Sequence, residues 1–578
     1  MRVARLLLWC VSVLAVAQTP AQEDLLRTTS EPGNPGGKLV IAQRSEPRSF
    51  NPVMAVDQNS LGVNARLQSD LIHINRATQK TEPALAKSWT VSRDGTQFTV
   101  KLRRGLKFSD GAPFDADDVI FSFTVYLDEK VNSSQRNLLI IGGKPIALQK
   151  IDAYTVRFTF PAPYSPAERV FDGLAILPRH LLEKDYLEGK ISQVWTLNTP
   201  PEKIVGLGAF RLKQVVPGDR VVLERNPFYW KIDAKGQRLP YLDELTFVAV
   251  PTQDAQVIRF QAGDSQIISG LSAENFAVLE PEQKAHHFKL YDAGMGLEYN
   301  FLMFNLNDDM DVRLPEVARK QKWFRDVRFR QAVSAAIDRA GIVRLVYRGR
   351  GAAIATHVSP GNKAWFDSAI PAPVRSLPKA RELLKAAGFS WKADNTLVDS
   401  SGQPVEFTIL VSSSNTQREQ MATLIQQDLK AIGITAHVAP LEGKSANDRV
   451  LNSHDYEAIV IGLVSGDADP TPDMNVLMSN GQTHLWHLNE KAPATPWEAE
   501  LDQLMQKQLV TLNYPQRKKI YDRVQEVLAQ QLPVVYLATP DILVGAQEDL
   551  GNFHPAVIEQ YTFWNAEELF WHTPAGKH

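Results

Sequence analysis

The stretch that decides the fold runs from Pro83 to Phe123: PALAKSWTVSRDGTQFTVKLRRGLKFSDGAPFDADDVIFSF. Asp94-Gly95 reads as the tight turn of a hairpin, between a strand ending near Val91 and one starting at Gln97. In QFTVKL (97–102), Phe98, Val100 and Leu102 fall on one face, the period-two signature of a half-buried strand. Asp110-Gly111 makes a second turn. Asp115 then opens a helix, with Asp118 three residues on, just before VIFSFTVYL. Acids at those positions cap the first turn and face the positive end of the helix dipole. Capping is the reading for this pair, ahead of a catalytic carboxylate dyad. Trp89, Phe98, Phe108 and Phe114 are expected in a core.

The same logic extends along the chain. KLVIAQ (38–43) follows Gly36-Gly37 and reads as a strand. Tyr154, Val156, Phe158 and Phe160 alternate in another. Asp326 is expected to cap a helix through Arg339. Ser376-Leu377-Pro378 starts a further helix that ends at Gly388. EFTILV (406–411), an amphipathic helix from Gln417 to Ile432 closed by Gly433, and ITAHV (434–438) form a strand-helix-strand unit, which implies a parallel pair with a right-handed crossover. YEAIVIGL (456–463) reads as a buried strand. A last helix (515–530) precedes the strand PVVYLA (533–538). Mixed strands and helices throughout predict an α/β protein.

The chain has 578 residues, too many for one hydrophobic core, so more than one domain is expected. It carries 63 Lys and Arg against 65 Asp and Glu. That near-neutral balance, without a polybasic block, argues against nucleic acid or an anionic membrane surface as partner. Arg2 and Arg5 precede the apolar run LLLWCVSVLAVA, which ends in Ala15-Val16-Ala17. This is the pattern of a signal peptide over residues 1–17, cleaved before Gln18. The run is short for a membrane-spanning helix. Cys10, the one cysteine, lies inside it, so the mature chain is expected to have no thiol and no disulfide. Leu8 and Trp9 before Cys10 argue against lipidation there. Residues 18–37, rich in Pro, Thr, Glu and Gly, read as a flexible lead-in.

Several of these stretches, in order, resemble extracellular solute-binding protein family 5, which includes dipeptide- and oligopeptide-binding proteins of ABC importers. The segment from Pro83 to Phe123 follows the family's pattern without gaps. LGAF (207–210), RNPFYW (225–230), LPYLDELTF (239–247), the helix from Asp326 and its continuation to Tyr347, and KARELLKAAGF (379–389) each resemble a family piece at the expected place. The resemblance implies a two-lobed periplasmic binding protein of the Venus-flytrap kind. Lobe I would span 38–298, with an extra subdomain at about 71–200. Lobe II would span 299–530, and residues 531–578 would return to lobe I. The crossing strands would lie near 295–304 and 530–538. It also implies a periplasmic monomer that hands its ligand to an inner-membrane permease, with no cofactor.

In peptide-binding members an aspartate in a G-W-x-x-D-x-x-(D/E)-P segment binds the ligand's α-ammonium. GLVSGDADP (462–470) corresponds, which marks Asp467 first and Asp469 second as ligand-binding candidates. Such a carboxylate would make a short charge-assisted hydrogen bond. Val464 stands where the family has tryptophan, and the spacing to Asp-Pro is one residue shorter. Both acids also fit ordinary turn roles before Pro470 and Pro472. Trp486, in GQTHLWH (481–487), is a candidate for stacking on ligand. Phe50 and Asn51, in RSEPRSFN (44–51), resemble the first pocket loop. His484 and His487 stand three apart, but no third ligand of matching spacing follows, so no metal is expected. The pair His286-His287 reads as surface. Peptide-like solutes head the ligand list, with nickel complexes, haem, oligosaccharides and opines as alternatives. No G-x-S-x-G, H-E-x-x-H or cysteine nucleophile supports a secreted hydrolase, and a periplasmic chaperone is the remaining class.

Overall fold

The structure is a computed structural model. It describes residues 23–573 except 134, 309–312, 466–467, 482 and 491. The segment expected to be a signal peptide therefore lies outside the described residues. Among the described residues no helix is long and apolar enough to cross a membrane.

Two large sheets organise the chain. The first contains, in spatial order, strands Phe210–Val216, Arg220–Arg225, Glu244–Ala249, Lys38–Gln43, Ile267–Ile268, Ala538–Gln547 and Phe288–Met295. The second runs Thr435–Leu441, Glu406–Ser412, Ala458–Val464, Glu298–Phe304 and Val534–Tyr536. Strands Glu406–Ser412 and Thr435–Leu441 pair in parallel across the helix Thr416–Lys430. Each sheet anchors its own hydrophobic cluster, one around Leu39, Ile41, Leu245 and Val544, the other around Phe304, Phe407, Val460 and Val535.

The chain passes between the sheets twice, at the same level. Phe288–Met295 belongs to the first and Glu298–Phe304 to the second, with Gly296 and Leu297 between. On the return, Val534–Tyr536 belongs to the second and Ala538–Gln547 to the first, with Leu537 between. The crossings are hydrogen-bonded to each other, Gly296 N–H to the Pro540 carbonyl (3.1 Å) and Leu537 N–H to the Asn300 carbonyl (2.8 Å). A side chain on Gly296 would meet the end of the Ile542 side chain at 2.6 Å, so a larger residue there would need Ile542 to shift.

A four-stranded antiparallel sheet, Ala86–Val91, Gln97–Leu102, Thr155–Thr159 and Ala147–Asp152 in spatial order, sits beside the first lobe's sheet. The helix Ala116–Leu127 covers it. Its start is a capping box, Asp115 accepting from the Asp117 N–H and Asp118 from the Asp115 N–H. Phe98, Phe108 and Phe114 are buried in the same cluster, with Trp89 packed against it.

Two readings are corrected. Residues 23–37 are not a loose lead-in. Leu26–Arg27 pairs in parallel with Lys231–Ile232, and the Ser30 hydroxyl donates to Glu568 at 2.7 Å. Leu25 and Leu26 pack on the core, which supplies the ordering energy that a count of Pro and Gly overlooks. The helix from Asp326 stops at Ala336, and Asp338 caps a second one, Arg339–Val346.

Candidate functional site

Asp57 caps the helix Gln58–Leu67 by accepting from the Ser60 N–H. Against that helix lie the hairpin Ile72–Asn75 and Lys80–Pro83, and, from the far end of the chain, the segment 558–567. Between them is a cavity of about 230 Å³ whose wall includes Asn64, Gln68, Asp70, His73, Trp230 and Glu559.

Most charges in this wall are already matched. Arg66 is buried and donates to the Phe563 carbonyl and to Gln560, which fastens the returning segment to the helix. Burial lowers its guanidinium to about 10, with Glu567 opposing. Burial works against ionising Glu567, but Lys231 at 2.8 Å holds it down at about 2. Arg76 pairs with Asp172 at 2.9 Å, and His73 sits 3.2 Å from Asp70 and 3.3 Å from Asp172. Burial tends to lower the His73 imidazole, but Asp70 and Asp172 together outweigh it and the net shift is upward.

Three wall groups keep hydrogen-bonding capacity. The Gln68 amide oxygen and nitrogen and the Asn64 amide oxygen are buried with no protein partner. Buried amides are normally satisfied, and the exceptions call for a functional account. Glu559 is held by a hydrogen bond from the Gln58 amide, and burial pushes its carboxyl up.

A second cavity, about 380 Å³, lies on lobe II at the end of strand Ala458–Val464, lined by Tyr299, Leu463, Ser465, Asp473 and Asn475 among others. Asp473 is 7% exposed and accepts from the Ser465 hydroxyl (3.0 Å) and the Tyr521 hydroxyl (2.8 Å), with His357 Nε2 at 3.5 Å. No motif in the sequence marks Asp473, because its partners His357 and Tyr521 are distant in the chain. Leu297, Ala468 and Ile558 form a small apolar cluster between the cavities. Ile558 lines the first cavity, while Ser465, whose N–H reaches the Leu297 carbonyl (3.3 Å), lines the second.

The lobes touch beyond the crossings. Gln79 Nε2 donates to the Gly361 carbonyl (3.3 Å), the Ser165 N–H donates to the Leu509 carbonyl (2.7 Å), and the Leu512 side chain lies against Gly95. This is a closed arrangement.

The sequence-derived candidates fare differently. Asp467 lies outside the described residues. Asp469 is 5% exposed, with both oxygens engaged by Arg517 and one also by Thr471, so in this state it has no face for a ligand. Trp486 is 2% exposed inside lobe II's core and donates to Glu498 (3.3 Å). Phe50 is fully enclosed. Asn51 donates to the Ile191 carbonyl (2.7 Å) and accepts from the Val53 N–H (3.0 Å), which ties its loop to residues 191–194. In this structure all four are engaged by contacts within the protein. An aromatic or amide that looks free in a loop sequence is here paid for by packing. The cavity walls instead come from the neighbouring helix and the returning segment.

Comparison with known proteins agrees with the fold. Residues 80–484 match the family described as bacterial extracellular solute-binding proteins, family 5 (middle part). The chain is 28% identical over 540 residues to a probable ABC transporter-binding protein of Deinococcus radiodurans, covering 89% of each chain. It is 26% identical over 535 residues to the oligopeptide-binding protein AppA of Bacillus subtilis, covering 90% of each. It superposes on the ABC transporter substrate binding protein CtaP of Listeria monocytogenes with a TM-score of 0.75, 23% identity, and coverage of 93% of this chain and all of that one. The chain belongs to family 5 of the bacterial extracellular solute-binding proteins.

Proposed function

We propose that this chain is the solute-binding component of an ABC importer, capturing a small peptide-like solute between its lobes by hinge closure and delivering it to a membrane permease. It works in the periplasm as a monomer, reached by way of the N-terminal signal peptide, and it binds its solute without transforming it. The observation that carries this reading is the pair of adjacent crossings at Gly296 and Leu537, with an incompletely satisfied polar cavity on one side and the Asp473 network on the other. A short hinge of this kind absorbs a rotation while each sheet stays rigid. Solute that contacts both walls stabilises the closed form, and that difference in contacts is what shifts the balance.

A cavity of about 230 Å³ is smaller than common drug-sized pockets, which points to a short solute. The spare groups, an amide, an amide oxygen and a carboxylate, suit a ligand that has both donors and acceptors, as a peptide does.

Native mass spectrometry of the mature protein, followed by calorimetry with di- and tripeptides, tests this. Saturable one-to-one binding of short peptides supports it. A single discrete adduct of another class, such as a haem, an oligosaccharide or an opine, keeps the importer but overturns the peptide. Turnover of a bound peptide or ester overturns the non-catalytic reading.

A further inference from the structure

Lobe II contains a buried cluster behind the second cavity, next to its lining residues Val476, Thr483 and Leu485. His484 is 0% exposed, Glu498 3% and Glu490 9%. One ligand-type atom from each lies within 4.8 Å of the others. His484 came to notice in the sequence beside His487, three residues on, where no third ligand followed at a familiar spacing. The fold supplies the missing groups from the loop after it and from the first turn of the helix Pro496–Val510.

The second atom of each group is already fixed. His484 Nδ1 is 3.0 Å from the Val476 carbonyl, so it donates there and leaves Nε2 as a bare lone pair. One Glu490 oxygen accepts from the Ala494 N–H. One Glu498 oxygen accepts from the Thr495 hydroxyl at 2.7 Å. The remaining atoms converge: His484 Nε2 stands 3.5 Å from Glu490 Oε2 and 3.9 Å from Glu498 Oε1, which also accepts from the Trp486 indole N–H at 3.3 Å. Those gaps are long for hydrogen bonds, and His484 Nε2 and Glu490 Oε2 are both buried with no hydrogen-bond partner. They are close to the separation of two ligands on one metal, about 3.3 Å for tetrahedral bonds of about 2.0–2.1 Å.

Charge points the same way. Two buried carboxylates need a counter-cation. Among the described residues no Lys or Arg lies within ion-pair distance of either; Arg330 acts on Glu498 only from further away. A neutral imidazole and two carboxylates leave a deficit that one divalent cation cancels. His487, with Nδ1 3.4 Å from the other Glu490 oxygen, is the adjacent candidate for a fourth ligand.

We propose that His484, Glu490 and Glu498 form a structural site for a divalent transition-metal ion, which ties His484 and Glu490 to the first turn of the helix Pro496–Val510. The donor set, an imidazole with carboxylates, suits Zn²⁺. The three side chains back onto the second cavity without lining it, so Zn²⁺ binding is measured apart from solute binding.

The test uses the mature protein stripped with a chelator and then titrated with Zn²⁺ alone in a calorimeter, with thermal unfolding read in parallel. One Zn²⁺ per chain and a raised melting temperature are expected. Glu490→Gln and Glu498→Gln should each weaken binding by at least about tenfold, while the double variant His286→Ala/His287→Ala, which removes surface imidazoles, leaves it unchanged. Co²⁺ in place of Zn²⁺ should give visible d–d absorption in the wild type that Glu490→Gln abolishes, provided circular dichroism shows that variant folded. Absence of stoichiometric binding to the wild type, or binding lost with the surface histidines and kept in both glutamine variants, overturns the site. The cluster would then be a histidine and two carboxylates sharing protons.

Discussion

Arg517 grips Asp469 with two prongs, Nη1 to Oδ2 at 2.6 Å and Nη2 to Oδ1 at 2.8 Å, and both side chains are 5% exposed. Removing one partner strands the other charge, so Asp469→Asn should cost about 3 kcal/mol in urea unfolding. The folded fraction should keep its ligand affinity. Asp467, two residues earlier and outside the described residues, should behave in the opposite way: Asp467→Asn weakens an ammonium-bearing ligand by more than about tenfold in calorimetry at unchanged stability. Exchanged phenotypes would reassign the ligand carboxylate to Asp469.

Gln68 gives a test in which stability and binding move apart. Its amide is buried and unpartnered in the protein, a cost of about 1–3 kcal/mol. Gln68→Met keeps the volume and removes that cost. The variant should melt higher than the wild type without ligand and bind solute at least about tenfold more weakly. Lower stability together with undiminished affinity would show that Gln68 is a packing residue.

Leu512 is 47% exposed, yet it rests on Gly95 of the opposite lobe. Leu512→Asp should open that contact without touching either cavity. Apparent affinity then falls several-fold, because the competent closed state is less populated. Small-angle scattering with saturating solute should still reach the closed dimensions. Unaltered affinity would mean that this contact does not contribute to closure.

Glu567 and Lys231 predict a pH signature. The Glu567 carboxyl is held at about 2, below its ordinary 4.5. A depressed carboxylate stabilises the fold fully above its unfolded value and loses that contribution as pH falls through its folded value. The gap between wild type and Glu567→Gln should therefore be about 3 kcal/mol at neutral pH. It should narrow below pH 4.5 and vanish near pH 2. A gap independent of pH would assign the loss to packing alone.

Local signals read well because their causes are local. Asp94-Gly95 marks a turn with Gly95 at φ +70°, Asp115 and Asp118 cap their helix, and the alternation of Phe98, Val100 and Leu102 buries all three. The site read poorly because its walls join residues far apart in sequence. Arg66 reaches Phe563 and Gln560, Lys231 reaches Glu567, and nothing near Gln68 in sequence shows that its amide will lack a partner. Phe50, Asn51 and Trp486 looked available for a ligand because a linear pattern does not show what packs on top of a loop. The lead-in misled for the same reason: its strand partner, Lys231–Ile232, lies some two hundred residues downstream.

That long-range closure also governs how the protein is made. A ribosome or an export channel releases the chain from its beginning, so Lys38–Gln43 emerges early. The sheet around it is finished only by Ala538–Gln547, and Trp571 then donates to the Lys38 carbonyl at 3.0 Å. No shorter prefix of the chain contains a completed first lobe. A premature stop anywhere before the return leaves open strand edges for proteases and chaperones to find. The return strand Ala538–Gln547 and Trp571 thus tie late-made residues to the earliest strand of the first lobe.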